Sequence, residues 1–209
     1  MEGCFLNLSI VVDALRARTS DEFLIRDLPG TSGRLDVVCR ILVSIYRTNP
    51  KLADAIQVNA VLGGPPTPPL RINVHYGNAT DFPESELECA IILKDVLHHY
   101  RTKGVGQDCQ WPQFSICSQS FSETLQSVIG DKKQILYLVE SGTPLQEAKL
   151  DLNQPLVLIL GDDQGLSEEH EKHVYSHPVQ KVSIGTRSLL GSHVISLVLR
   201  ELMRRNESK

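Results

Sequence analysis

Three glycine-bearing segments each follow an apolar run and could bring main chain close to a ligand. They are Leu138-Val139-Glu140-Ser141-Gly142, Leu160-Gly161-Asp162-Asp163-Gln164-Gly165 and Ser183-Ile184-Gly185-Thr186-Arg187-Ser188-Leu189. Ligands of open α/β sheets collect beyond the carboxyl ends of the strands, where glycine permits close backbone approach. None of the three carries the GK[ST] of a phosphate-binding loop and none reads GxGxxG, so a generic dinucleotide site is unsupported. Plain turns would satisfy the spacing as well. His170, His173 and His177 recur at helical spacing, but Pro178 follows at once and no cysteine or HExxH frame accompanies them. No metal site is expected from that pattern. Cys4, Cys39, Cys89, Cys109 and Cys117 are odd in number, irregularly spaced and without a CxxC pair, the pattern of free thiols.

Charge is the second source of chemistry. The 209 residues hold 21 Lys and Arg against 25 Asp and Glu, a formal net charge of −4, so there is no global basic field to capture a phosphate backbone. Distribution differs from the sum. The first fifty residues carry Arg16, Arg18, Arg26, Arg34, Arg40 and Arg47 and no lysine. Arginine is the side chain suited to bidentate phosphate contacts, although ordinary surface arginines would account for the same count. With 41% hydrophobic and 22% charged residues, collagen-like, coiled-coil and wholly disordered chains are excluded. No apolar run nears the ~20 residues that span a bilayer, and Met1-Glu2-Gly3-Cys4-Phe5 lacks the basic start of a signal peptide. A cytoplasmic location and no membrane partner are expected.

The elements that must position these residues alternate in type. Residues 4–12, 55–62, 71–75, 114–117, 134–139, 156–160 and 181–184 read as strands or candidate strands. Leu156 to Leu160 is the continuous apolar run of a central parallel strand buried on both faces. Amphipathic patterns follow Ser32, span 86–100, 122–129 and the segment after Ser167, and end with a long helix over 189–205. Thr31 or Ser32 is the expected cap of the first of these. The pattern is α/β, about six mostly parallel strands with helices on both faces. No linker or repeat divides it, so a single domain over 1–209 is expected.

Two long motifs and two shorter ones carry a resemblance. Leu160-Gly161-Asp162-Asp163-Gln164-Gly165, with Ser183-Ile184-Gly185-Thr186-Arg187-Ser188-Leu189-Leu190-Gly191-Ser192-His193, closely resembles the C-terminal motifs of the TrmY family. These are pseudouridine N1-methyltransferases of the SPOUT superfamily, acting on position 54 of tRNA in archaeal members. Asp27-Leu28-Pro29-Gly30-Thr31-Ser32-Gly33-Arg34-Leu35-Asp36-Val37 is similar to the N-terminal signature of that family, and Leu62-Gly63-Gly64-Pro65-Pro66 to its mid-chain loop. The resemblance implies a SPOUT-type α/β knot, in which the C-terminal helix threads a loop to form a deep trefoil. It also implies S-adenosylmethionine (SAM) bound among the three glycine-bearing loops. Carried over, the cofactor residues are Leu138, Val139, Gly161, Ile184, Gly185, Thr186, Arg187, Ser188, Leu189, Leu190 and Val194. Archaeal members place a cysteine where this chain has Val194. The resemblance further implies a homodimer through the terminal helix, where Leu189, Leu190, Val194, Leu197, Val198 and Leu202 form a stripe; intramolecular packing would use the same stripe.

The implied reaction is an in-line methyl transfer in which the protein positions donor and acceptor and manages the acceptor's proton. Pseudouridine is joined through carbon, so its N1 keeps a weakly acidic hydrogen that must leave. A carboxylate could accept it and a guanidinium could steady the oxyanion forming on the ring carbonyls. Asp27, Arg34 and Asp36 are the catalytic candidates. Residues two apart on a helix point to different faces, so Arg34 and Asp36 are expected to do separate work. Asp36 would also suit the helix dipole, and Asp27 could pair with Arg26 or Arg34. His193 could orient a loop or lie buried. RNA, in the first instance tRNA, would be held by Arg16, Arg18, Arg26, Arg71 and Arg187, with the target base flipped from its stack. The other readings are the same chemistry on another RNA uridine or pseudouridine, and an RNA-binding protein of the same fold without catalysis.

Overall fold

Seven consecutive buried residues, Leu8–Ala14, make strand β1 at the middle of a seven-stranded sheet. The computed structural model describes residues 7–77, 82–104, 110–130, 134–185, 187 and 189–207. β1 is followed by a loop, a short helix α1 (Leu28–Thr31) and the amphipathic helix α2 (Leu35–Thr48). One turn of helix, α3 (Pro50–Ala53), leads into β2 (Ile56–Leu62), β3 (Leu70–His75), α4 (Glu86–Lys103) and β4 (Phe114–Cys117). The second half runs α5 (Phe121–Val128), β5 (Gln134–Pro144), β6 (Leu156–Gly161), α6 (Glu168–Tyr175), β7 (Val179–Ser183) and α7 (Gly191–Glu207).

The strands lie in the order β4-β3-β2-β1-β6-β5-β7. β1 pairs parallel with β2 and β6, and β5 pairs parallel with β6 and β7. β3 pairs antiparallel with both β2 and β4, so β3 alone of the seven strands runs against the others. Because side chains alternate along a strand, each central strand feeds two cores. Leu8, Ile10, Val12, Leu156, Leu158 and Leu160 face the helical layer of α2, α4 and α7, while Val11, Val157 and Ile159 face α5 and α6. A strand buried on both faces has to be apolar throughout, which is why β6 reads as an unbroken hydrophobic run.

Most expected elements recur with shifted ends, and four differences have physical causes. The sheet has seven strands rather than about six, since every short candidate found a partner. β5 does not turn at Glu140-Ser141-Gly142; it continues through an irregularity between Leu138 and Thr143 and rejoins β7 at Thr143 and Pro144. Such irregularities bend a strand where a site needs it. The last helix begins at Gly191, not Leu189. The first turn of α2 is capped from a distance: its N-cap is Arg34, and the Ser32 hydroxyl, two residues earlier, accepts from the Leu35 N–H at 3.1 Å and donates to the Leu28 carbonyl. Ser167 caps α6 as expected, accepting from the His170 N–H. Residues 4–6 of the first expected strand lie outside the described residues, as do Cys4 and Cys109; Cys39 and Cys89 are buried free thiols and Cys117 is a partly buried one. No helix among the described residues is long and apolar enough to cross a membrane. No three or more His, Cys, Asp or Glu among them gather as metal ligands would.

Candidate active site

The loop leaving β1 sits between two glycine turns. A β-carbon on Gly33 would stand 1.9 Å from the Arg16 carbonyl oxygen, and one on Gly64 would stand 2.3 Å from it. Only glycine admits that approach, and Gly33 also has a positive φ of 65°. Two separated motifs are thereby pressed onto one short loop, and Arg34 is carried to the end of the sheet.

Arg34 itself adopts a left-handed conformation, φ 75°, uncommon for a side chain of its size. As N-cap it stands outside the helical spiral, so the expectation that Arg34 and Asp36 face apart does not hold. Arg34 Nε and Nη2 donate to the two oxygens of Asp36 at 3.0 and 3.2 Å. Asp36 is fully buried and also pairs with Arg40 Nη2 at 2.7 Å, while Arg40 reaches Glu86 at 3.0 Å. Both Asp36 oxygens are thus engaged by guanidinia, which anchor the carboxylate.

Across from this helix end, β6 runs out into Asp162-Asp163-Gln164-Gly165. Gly161 packs against Gly165, where a β-carbon would come within 2.2 Å of main chain. The loop is therefore closed tightly on itself. Asp163 receives Arg34 Nη1 at 3.0 Å and is also bonded by Arg16 Nη2. Those arginines, Arg16 first, hold the Asp163 carboxyl below the usual carboxylate range. Asp162 behaves oppositely: burial pushes its pKa up, Oδ1 accepts from the Gln164 N–H at 2.8 Å, and Oδ2 is buried without a partner among the described residues. On the other face of the sheet, buried Asp13 holds His170 Nδ1 at 2.6 Å, and the imidazole stacks on Phe121 at 4.4 Å. The Asp13 hydrogen bond raises the His170 pKa.

Between these parts lies a cavity of about 640 Å³. Leu138, Val139, Gly161, Ile184, Gly185, Arg187, Leu189, Leu190 and Val194 all line it; Thr186 and Ser188 lie outside the described residues. Arg34 lines it and Asp36 stands behind Arg34. Asp27 does not line it: it is exposed, makes no ion pair among the described residues and folds over Gly30, so the expected pairing with Arg26 or Arg34 is absent. Of the arginines expected to meet RNA, Arg16 is tied to Asp163, and Arg18 lies 3.9 Å from Glu22. Arg26 is exposed, Arg71 Nη1 reaches Ser127 at 3.5 Å, and Arg187 is exposed at the cavity. Sequence reasoning missed Arg40, Asp163, Tyr137 and Glu171 as parts of the site. No local pattern marks the Arg16–Asp163 contact, which spans 147 positions.

The terminal stripe divides in two. Val198 and Leu202 are buried in the core, and α7 packs on α2, where the Ser44 hydroxyl donates to the Ser192 carbonyl at 2.8 Å. Leu189, Leu190 and Leu197 are 43%, 53% and 44% exposed. His193 is exposed.

A family described as "Putative SAM-dependent RNA methyltransferase" matches residues 8–206. The tRNA (pseudouridine(54)-N(1))-methyltransferase of Thermococcus kodakarensis is 32% identical over 199 residues, covering 91% of this chain and 96% of its own length. The enzyme of the same name from Methanosarcina mazei is 31% identical over 201 residues, covering 93% and 90%. Among solved structures, Archaeoglobus fulgidus Nep1 bound to S-adenosylhomocysteine superposes with a TM-score of 0.60 at 14% identity, covering 97% of this chain and 99% of that one, a likeness of fold.

Proposed function

Since the chain belongs to the family of SAM-dependent RNA methyltransferases, with the archaeal tRNA (pseudouridine(54)-N(1))-methyltransferases among its relatives, we propose that it methylates N1 of pseudouridine 54 in tRNA. The observation that carries this reading is the meeting of Arg34 with all three glycine-bearing segments around one cavity.

The residues present fit SAM. Leu138, Val139, Ile184 and Leu190 offer apolar surface to an adenine, and no phosphate cradle is needed. Gly185 borders the cavity with nothing within 4 Å of where a β-carbon would stand, so a side chain there would take up ligand space. Four lining carboxylates, Glu140, Asp162, Asp163 and Glu171, against three guanidinia, Arg34, Arg40 and Arg187, suit a ligand of net positive charge. When bound, SAM supplies an electrophilic methyl on a sulfonium. Arg34, anchored by buried Asp36, is placed to stabilise charge on a ring carbonyl as N1 loses its proton. Asp162 is the lining carboxylate suited to take that proton, because burial lifts its pKa and one oxygen lacks a donor. Asp27 and Arg26, exposed beside the same turn, and Arg16, Arg18, Arg71 and Arg187 would meet the RNA.

The same reading carries a homodimer through Leu189, Leu190 and Leu197, a threaded C-terminal helix and a cytoplasmic site of action. It is tested by incubating the protein with SAM and tRNA bearing pseudouridine 54, then digesting to nucleosides for mass spectrometry. N1-methylpseudouridine is the expected product, and its absence with calorimetric SAM binding intact would reassign the acceptor. Absence of SAM binding would favour a protein of this fold without catalysis.

A further inference from the structure

Arg34 has five N–H bonds to place. Nε and Nη2 go to Asp36, and Nη1 goes to Asp163 Oδ2. Asp36 alone is a divided anchor. Its Oδ2 lies 2.7 Å from Arg40 and 3.2 Å from Arg34, so the closer arginine has the stronger claim. Arg34 also holds a left-handed backbone conformation, which persists only where surrounding contacts over-determine it. Asp163 supplies the second anchor from a different element, the loop after β6. The same carboxylate bonds Arg16, and Arg16 and Arg34 lie close enough to disfavour one another's charge.

We propose that Asp163 is a positioning residue for methyl transfer: by bridging Arg34 and Arg16 it fixes the Arg34 guanidinium at the cavity and leaves two of its N–H bonds for the acceptor base. The proposal rests on the reading of the site as a methyl-transfer centre. Its physical content is that charge, not shape, does the bridging. An amide in this place can keep an acceptor oxygen at the Oδ2 position that both arginines share, but it loses the negative charge and turns an NH2 group toward Arg16 at the Oδ1 position, and the two guanidinia then separate. Because the bridge starts on the loop that also walls the cofactor side of the cavity, it ties Arg16 and Arg34 to that wall.

The test compares wild type, Asp163→Asn and Asp163→Glu in single-turnover methyl transfer to tRNA, with SAM affinity by calorimetry and tRNA affinity by filter binding. Asp163→Asn is expected to lower the transfer rate about tenfold, the scale of a misplaced catalytic group short of its loss, with both affinities within about twofold. Asp163→Glu is expected to restore most of that rate, which a merely structural contact would not require. An unchanged rate in Asp163→Asn, a defect confined to either affinity, or a Glu variant as slow as the Asn variant overturns the proposal. A second readout separates it from the reading on which it rests. In 15N-arginine spectra of the ligand-free protein, restricted rotation of the Arg34 guanidinium is expected in wild type and lost in Asp163→Asn. Identical rotation in the two proteins overturns the bridge, whatever RNA the enzyme acts on. Wild type that methylates no pseudouridine-bearing tRNA while showing the rotational difference leaves the bridge standing and removes the proposed acceptor.

Discussion

The two walls of the cavity are built on opposite principles. One wall is built on α2 of the N-terminal half and is a lattice of charges: Arg34 and Arg40 interlocked with Asp36 and Glu86, and tied with Arg16 to Asp163 of the loop after β6. The other follows β5, β6 and β7, where Leu138, Val139, Ile184 and Leu190 give an apolar surface with bare backbone at Gly161 and Gly185, and carboxylates such as Glu140 and Asp162 stand at its border. The charged wall is held by directional bonds and fails when one partner is removed, because the remaining charge is left half-buried. The apolar wall is held by shape and fails when volume is added. A site that binds an uncharged ring on one side and manages a proton on the other needs both kinds of construction.

Arg34→Ala attacks the charged wall at its centre and should produce the largest effect. Loss of one preorganised oxyanion donor is expected to slow methyl transfer about 100- to 1,000-fold while SAM affinity stays within about twofold. Equal transfer rates for variant and wild type would remove Arg34 from the mechanism and, with it, the division of labour between the walls.

Gly161→Ala attacks the other wall. Its new methyl meets Gly165 main chain at 2.2 Å, so the Asp162–Gly165 loop must shift. SAM affinity is expected to fall about tenfold, or roughly 1.4 kcal/mol, as read by calorimetry. The transfer rate at saturating SAM should drop far less than in Arg34→Ala. If rate and affinity fell together to the same degree, the walls would not be separable.

The smallest effect concerns the Asp13–His170 pair, on the opposite face from Asp36. Its hydrogen bond raises the His170 pKa above the ordinary 6.5, the neighbouring Glu169 acting in the same direction. A group raised on folding contributes stability that is complete below its unfolded pKa and disappears as pH climbs through the folded value. His170→Gln should therefore lower the Tm by about 2–4 °C near pH 6, and by less at pH well above neutrality. A difference in Tm that does not vary with pH would show the pair to be packing against Phe121 alone.

The fold was legible where burial imposes a pattern. β6 announced itself as a central strand because both of its faces are covered, and α2 by its amphipathic repeat. The continuation of β5 past Glu140 was not legible, since its pairing with β7 resumes only after an irregularity, and Gly142 within it, which packs on the Val182 main chain, reads in the sequence as a turn. In the site, the glycine-bearing strand ends were visible because close approach demands glycine. The relation of Arg34 to Asp36 was misread from helical spacing, because a left-handed N-cap lies outside the helix whose periodicity was applied. The net charge of −4 also takes on a different meaning. Of the arginines that looked available to RNA, Arg16 and Arg18 face the carboxylates of Asp163 and Glu22, while Arg26 and Arg187 are exposed.

Residue order by itself determined the α/β alternation, the strand ends that bare their backbone, the arginine-rich and lysine-free first fifty residues, and the family resemblance. These are properties of short stretches, in which neighbours along the chain are neighbours in space. Tertiary structure alone decided that Gly33 and Gly64 close on the same Arg16 carbonyl, that Asp163 reaches back 147 positions to Arg16, and that Asp36 is buried between Arg34 and Arg40. Each depends on the close approach of segments far apart in sequence, and the energy of such contacts is set by distance and burial, which only the folded chain defines.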